Sequence, residues 1–160
     1  MTEEAAGTNE DFSLEDEYKE DPLCATGQYF GNVLAVVNNF EAGCIEWKVC
    51  LANNGGLMSD GETEVDGSHH FYRNWMPQKG DDKVMSKDGK KTKRQSKINM
   101  LKDSAEQLKV NMDSPAIINE AIDDGIWIGL AVICKISIDT YEDRTRNQID
   151  RMFRNPDETE

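Results

Sequence analysis

The residues best suited to chemistry gather between His70 and Lys79: Phe71, Tyr72, Arg73, Asn74 and Trp75, with Lys79 just past Pro77. Single-stranded nucleic acid is held by rings on which bases stack and by lysines and arginines that follow the phosphates, so aromatics interleaved with positive charge are its signature. Two smaller groups share that character. Lys48 lies in the alternating run Ile45–Leu51, and Tyr141, Arg144 and Arg146 cluster at a polar turn near the end of the chain. The densest charge is in the twenty residues from Lys83 to Lys102, where Lys83, Lys87, Lys90, Lys91, Lys93, Arg94, Lys97 and Lys102 stand against one acid, Asp88. Each phosphate such a segment neutralised would release counterions and steepen the salt dependence of binding.

Other chemistries are poorly served. Cys24, Cys44, Cys50 and Cys134 form no C-x-x-C pair and lie in or near apolar runs, which reads as buried free thiols. His69 and His70 are adjacent, so a strand would point them to opposite faces and away from a shared metal. Asp60, Glu62, Glu64 and Asp66 have a trace of calcium-loop spacing, but the sixth position is Val65 and the closing glutamate is missing. No glycine-rich phosphate loop or nucleophile motif occurs, so the expectation is a non-catalytic protein with no cofactor and no metal.

The elements that must position these residues follow from periodicity. Tyr29–Asn38, rich in valine and aromatics, predicts a buried strand, and Ile45, Trp47, Val49 and Leu51 alternate with more polar neighbours as a half-buried strand does. Trp47 therefore reads as core, with Lys48 facing out. Residues 53–68 form a glycine-rich acidic loop, and Phe71–Met76 is a third strand ended by Pro77. Its register is open: either Phe71 and Trp75 face the core and Tyr72 faces out, or Phe71, Arg73 and Trp75 form an exposed platform, which Arg73 favours. The run from Lys83 to Lys97 reads as a mobile loop feeding a helix capped by Ser96, with Ile98, Leu101, Ala105 and Leu108 on one side. A short helix opens at Asp113 or Ser114, helped by Pro115, and stops at Gly125. Ile126–Ile138 predicts a long strand bent at Gly129, leaving the facing of Trp127 undecided, and Asn147–Arg154 closes the set. Three strands, a helix and two strands is the order of a five-stranded OB-fold barrel with its helix between strands 3 and 4, all-β with a helical insertion. A small mixed α+β sheet domain is the alternative.

A net charge of −13 at first argues against a polyanionic partner. The charge is not evenly spread: residues 1–21 hold nine acids and residues 155–160 hold three, against Lys19 alone. That leaves 17 basic and 19 acidic residues in the body. The expected organisation is a disordered acidic tail over 1–21, one domain over 22–154 and a short acidic tail over 155–160. No apolar run is long enough to cross a bilayer and the start has no signal-peptide pattern, so the expected location is cytoplasmic with no membrane partner.

The strand GQYFGNVLAVV, its partner GCIEWKVCL, the helix SKINMLKDSAEQL and the turn YEDRTRNQIDRMF before an acidic end together resemble the short phage-encoded single-stranded-DNA-binding proteins of OB-fold type, over about Ala25 to Phe153. The resemblance implies sequence-tolerant binding of single-stranded DNA in replication or recombination within a phage-infected bacterium. It also implies replication or recombination proteins as partners of the acidic tails, and is compatible with a homo-oligomer. The chain departs from that pattern in carrying its larger acidic tail at the N-terminus. The rival reading is an acidic protein-binding inhibitor, a DNA mimic acting on a host nuclease or defence complex, though most of the excess acid lies in the tails rather than on a folded surface.

Overall fold

Alternation sets the centre of the sheet. In β2, Cys44–Leu51, the side chains of Ile45, Trp47, Val49 and Leu51 are fully buried, as their period-two spacing predicts. Each such burial is worth about 1.5–3 kcal/mol. The computed structural model describes residues 10–18 and 20–156. The first nine residues and Lys19 of the acidic N-terminal segment, and the acidic end 157–160, lie outside the described residues. Within the segment, α1 (Leu14–Glu17) is one turn capped by Ser13, with no residue buried.

The long strand β1, Gly27–Asn39, pairs antiparallel with β2 through residues 31–39 and with β4 (Ala131–Tyr141) through residues 27–32. The two ladders overlap at Gly31 and Asn32, and at Gly31 a Cβ would stand 2.7 Å from the Val49 side chain and 3.0 Å from the Cys50 carbonyl. Only glycine lets the strands approach so closely. With β3 (His69–Trp75) outside β2 and β5 (Arg144–Arg154) outside β4, the result is a five-stranded antiparallel sheet in the order β3-β2-β1-β4-β5.

The expected barrel is not closed. The edge strands β3 and β5 approach within 8 Å between Cα atoms, but no ladder joins them. A helix bridges the seam instead: α2 (Lys93–Leu108) packs against both edges. Its Ser104 hydroxyl lies 3.0 Å from Tyr72 Oη of β3, and its Leu108 carbonyl accepts from Arg154 Nε of β5 at 3.0 Å.

Two α-helices separate β3 from β4, as the periodicity and cap signals predict. The start of α2 differs from the reading at Ser96: Thr92 is the cap, accepting from Gln95 N at 3.0 Å. Both residues can cap, but a bridge between Met85 and Thr92, and a bond from Lys93 N to the Val84 carbonyl, halt the incoming chain at Thr92. The helix α3 (Pro115–Asp124) has Ser114 as cap, Pro115 in the first turn and Gly125 at φ 66° as its left-handed stop.

The strand expected from Ile126 begins only at Ala131. Gly125 and Gly129, at φ 66° and 92°, fold the intervening residues into turns, which leave Ile126 and Ile128 exposed and drive Trp127 into the core. The β4–β5 hairpin turns on Glu142 and Asp143, both left-handed at φ 51° and 65°, the two-residue geometry that matches strand twist. Among the described residues no helix is long and apolar enough to cross a membrane.

Candidate nucleic-acid interface

The strand β3 settles into the register that buries its polar alternates. His70, Tyr72 and Asn74 point into the core, and His69, Phe71, Arg73 and Trp75 point out. The inward set is satisfied by hydrogen bonds. Trp47 Nε1 donates to Asn74 Oδ1 at 2.7 Å, Asn74 Nδ2 donates to Ser104 Oγ at 3.0 Å, and Tyr72 meets the same hydroxyl. His70 Nε2 lies 2.9 Å from Ser68 Oγ and 3.9 Å from Cys24 Sγ. Burial and the neighbouring His69 hold the His70 ring below the ordinary imidazole range, so it is neutral at neutral pH.

The outward set forms a platform. Phe71 and Trp75 are 51 % and 45 % exposed, four residues apart on one face and so about 13 Å from each other. Arg73 lies between them, its Nε donating to Glu46 Oε2 at 2.9 Å. The guanidinium also hydrogen-bonds the Cys44 sulfur, so these two contacts use part of its five-donor inventory. Lys48 is the cross-strand partner of Phe71, and Cys44 that of Trp75. Because Cys44 follows the β1–β2 turn, the exposed ring of Phe40 in that turn lies toward the Trp75 end. Sequence reading missed Phe40, since an isolated aromatic beside Asn38 and Asn39 reads as turn filler.

The opposite end of β3 faces the last hairpin. Cys24, next to His70, also accepts Asn147 Nδ2 on its carbonyl and donates its N–H to Asn147 Oδ1 at 2.8 Å. This ties the start of β5 to the start of β3. Arg146 thereby lines the same cleft as Phe71 and Arg73, a hollow of about 660 Å³ between β3, β5 and α2. Tyr141 and Arg144 are exposed partners at the hairpin tip, and Arg146 lies 4.0 Å from Asp139.

The structure distributes the remaining candidates unevenly. Lys79 is exposed in the turn after Pro77. Lys90 and Lys91 are exposed in a turn rather than a featureless loop: Ser86 N donates to the Lys91 carbonyl at 2.7 Å, and Asp88 accepts from the Ser86 hydroxyl and Lys90 N. Lys93 and Arg94 occupy the first turn of α2. Two candidates are not available to a ligand on the outer face. Tyr72 is inside, and Lys97 is committed to Asp81 Oδ2 at 2.8 Å and to the Met76 carbonyl at 3.3 Å. The Lys97 bond and the Gln78 N–H hold the nearly buried Asp81 carboxyl below its usual range. The pair fastens α2 to the end of β3.

Other chemistry finds little here. Burial pushes the Cys134 thiol up to about 12 and raises Cys24 and Cys44, so these sulfurs stay protonated near neutrality, when the thiolate is the reactive form. Asp60 accepts from Glu62 N, Thr63 N and the Thr63 hydroxyl, and Asp66 clamps Asn54 and Gly55, so both loop carboxylates serve the loop itself. No group of three or more metal-ligating side chains converges among the described residues. No protein-family model matches the chain, and no curated protein is significantly similar to it.

Proposed function

We propose that this protein binds single-stranded DNA without catalysis and with little sequence preference, through the outer face of β2 and β3. One observation carries the reading: Phe71, Arg73 and Trp75 all project from that face while their polar neighbours on β3 are turned inward. Exposed rings at this spacing cost solvation and give the core nothing, whereas bases stacked on them would each contribute about 1–3 kcal/mol. Lys48 and the guanidinium donors of Arg73 not used by Glu46 and Cys44 would meet the phosphates between stacked bases. Phe40 would extend the platform at one end and Tyr141, Arg144 and Arg146 at the other.

The fold proposed for this role is an OB-type barrel whose seam between β3 and β5 is bridged by α2. Supporting it are the strand order, the approach of β5 to β3 within 8 Å between Cα atoms, and the helix over the gap, held to β5 by Arg154. The proposed setting, replication or recombination of phage type, rests on the resemblance of the strand and helix patterns. The test is fluorescence anisotropy of a labelled oligonucleotide of about thirty bases, several site lengths for one such domain, titrated at low salt. Absence of binding there would falsify the proposal.

A further inference from the structure

On the same outward side of the sheet, β4 and β5 set two positive charges against each other. Lys135 and Arg151 are direct cross-strand partners, both exposed, while Cys134, Ile136 and Met152 beside them point into the core. Like charges directly opposite on a sheet are destabilising. No carboxylate in the row relieves this pair. The β1 partner of Lys135 is Gln28, and among the described residues neither Lys135 nor Arg151 takes part in an ion pair. Asp150, next to Arg151, instead accepts from Gln148 Nε2 at 2.9 Å and lines the β3–β5 cleft.

The surroundings repeat the chemistry of β3. One row away, Phe30, Ile133 and Phe153 are partners across β1, β4 and β5, and the Lys135 ammonium stands 5.6 Å from the Phe153 ring centroid. The ladder shifts register between Lys135 and Ile136, the kind of bulge that re-aims side chains at binding sites. The ring engages Lys135 alone and leaves Arg151 facing it with no anionic partner among the described residues, and a local rule broken in this way marks a place where an absent group supplies the compensation. A phosphodiester flanked by bases matches two adjacent cations above an aromatic floor, since its oxygens meet the charges and its bases meet the rings.

We propose that Lys135 and Arg151 form a second phosphate-binding patch for the same strand that occupies Phe71–Trp75, an inference that rests on the function proposed above. The strand reaches it over the outer face of the sheet, past Lys48 on β2 and Phe30 on β1. An oligonucleotide of about six bases fills the β3 platform alone, and one of about thirty reaches both.

Lys135→Met/Arg151→Met is therefore expected to reduce the slope of log K against log salt by about 1.4 for the longer oligonucleotide, two phosphates at about 0.7 each, and to leave the shorter one unaffected. Lys135→Glu, which gives Arg151 an opposite partner, is expected to raise the melting temperature while weakening binding. A slope unchanged at thirty bases overturns the patch, and if Phe71→Ala still weakens binding the platform stands without it. Amide resonances separate the two ideas further. If the longer oligonucleotide shifts Lys135, Arg151 and Phe153 but not Phe71 or Trp75, the patch holds and the platform fails. No shift at either place overturns both.

Discussion

The indole rings of Trp47 and Trp127 stack with centroids 5.1 Å apart and planes inclined by 17°. One ring comes from the middle of β2 and the other from the glycine-bounded turn after α3, so the contact clamps the helical segment onto the sheet. Offset stacking adds about 0.5–1.5 kcal/mol to the area the rings bury.

Trp127→Ala is expected to cost about 3–5 kcal/mol, the range for emptying a large aromatic site. Urea unfolding followed by far-UV circular dichroism measures it. A loss below about 1 kcal/mol, the scale of an ordinary point substitution, would mean the stack is not a structural clamp.

On β3 alternate residues should separate stability from binding. Phe71→Ala and Trp75→Ala are expected to weaken oligonucleotide binding by about 1–3 kcal/mol each and to change stability by no more than about 0.5 kcal/mol. Tyr72→Phe removes the hydroxyl that meets Ser104, and should cost about 0.5–1.5 kcal/mol of stability with binding intact. Anisotropy and denaturation on the three variants check this, and a binding defect confined to Tyr72→Phe would reverse the assignment of faces.

The buried His70 imposes a pH dependence of definite sign. Its folded-state value lies below the unfolded one, so the unfolded chain takes up the proton first as pH falls. The stability contributed by the neutral ring is complete above about 6.5, declines below it, and levels off once the folded ring also protonates. Urea midpoints between pH 7.5 and pH 5 should fall for the wild type and flatten for His70→Gln. Identical slopes in both proteins would show that another group governs this window.

The Glu142–Asp143 turn holds two side-chain-bearing residues in the left-handed region, each strained by about 1–2 kcal/mol. Glu142→Asn with Asp143→Gly places the residues that this turn geometry prefers, and should raise stability by about 1 kcal/mol. Thermal melting reads the gain, and a destabilised double variant would indicate that the two acids have partners in the hairpin.

Much of the architecture was legible along the chain. The alternation of Ile45, Trp47, Val49 and Leu51 placed β2 and its buried face, and the Ser114, Pro115 and Gly125 signals bounded α3 almost to the residue. Such features are local, because an alternating run or a cap is satisfied by residues a few positions away. The same holds for the cluster of aromatic and basic residues on β3, which composition alone brings together.

What only the tertiary structure decided was which side of each element faces the core. On hydrophobicity alone Phe71 and Trp75 should be buried and His70 and Asn74 exposed. The reverse holds because Trp47 Nε1 from β2 and Ser104 from α2 come to meet the inward polar groups, with Ser68 just before the strand serving His70, and a buried amide costs little once paired. Trp127 is decided the same way, by a ring on β2 eighty residues earlier that no periodicity could foretell. The pairing of Lys135 with Arg151 is likewise a matter of register across a bulge. A chain specifies its elements through neighbours, but its faces through partners, and partners exist only after folding.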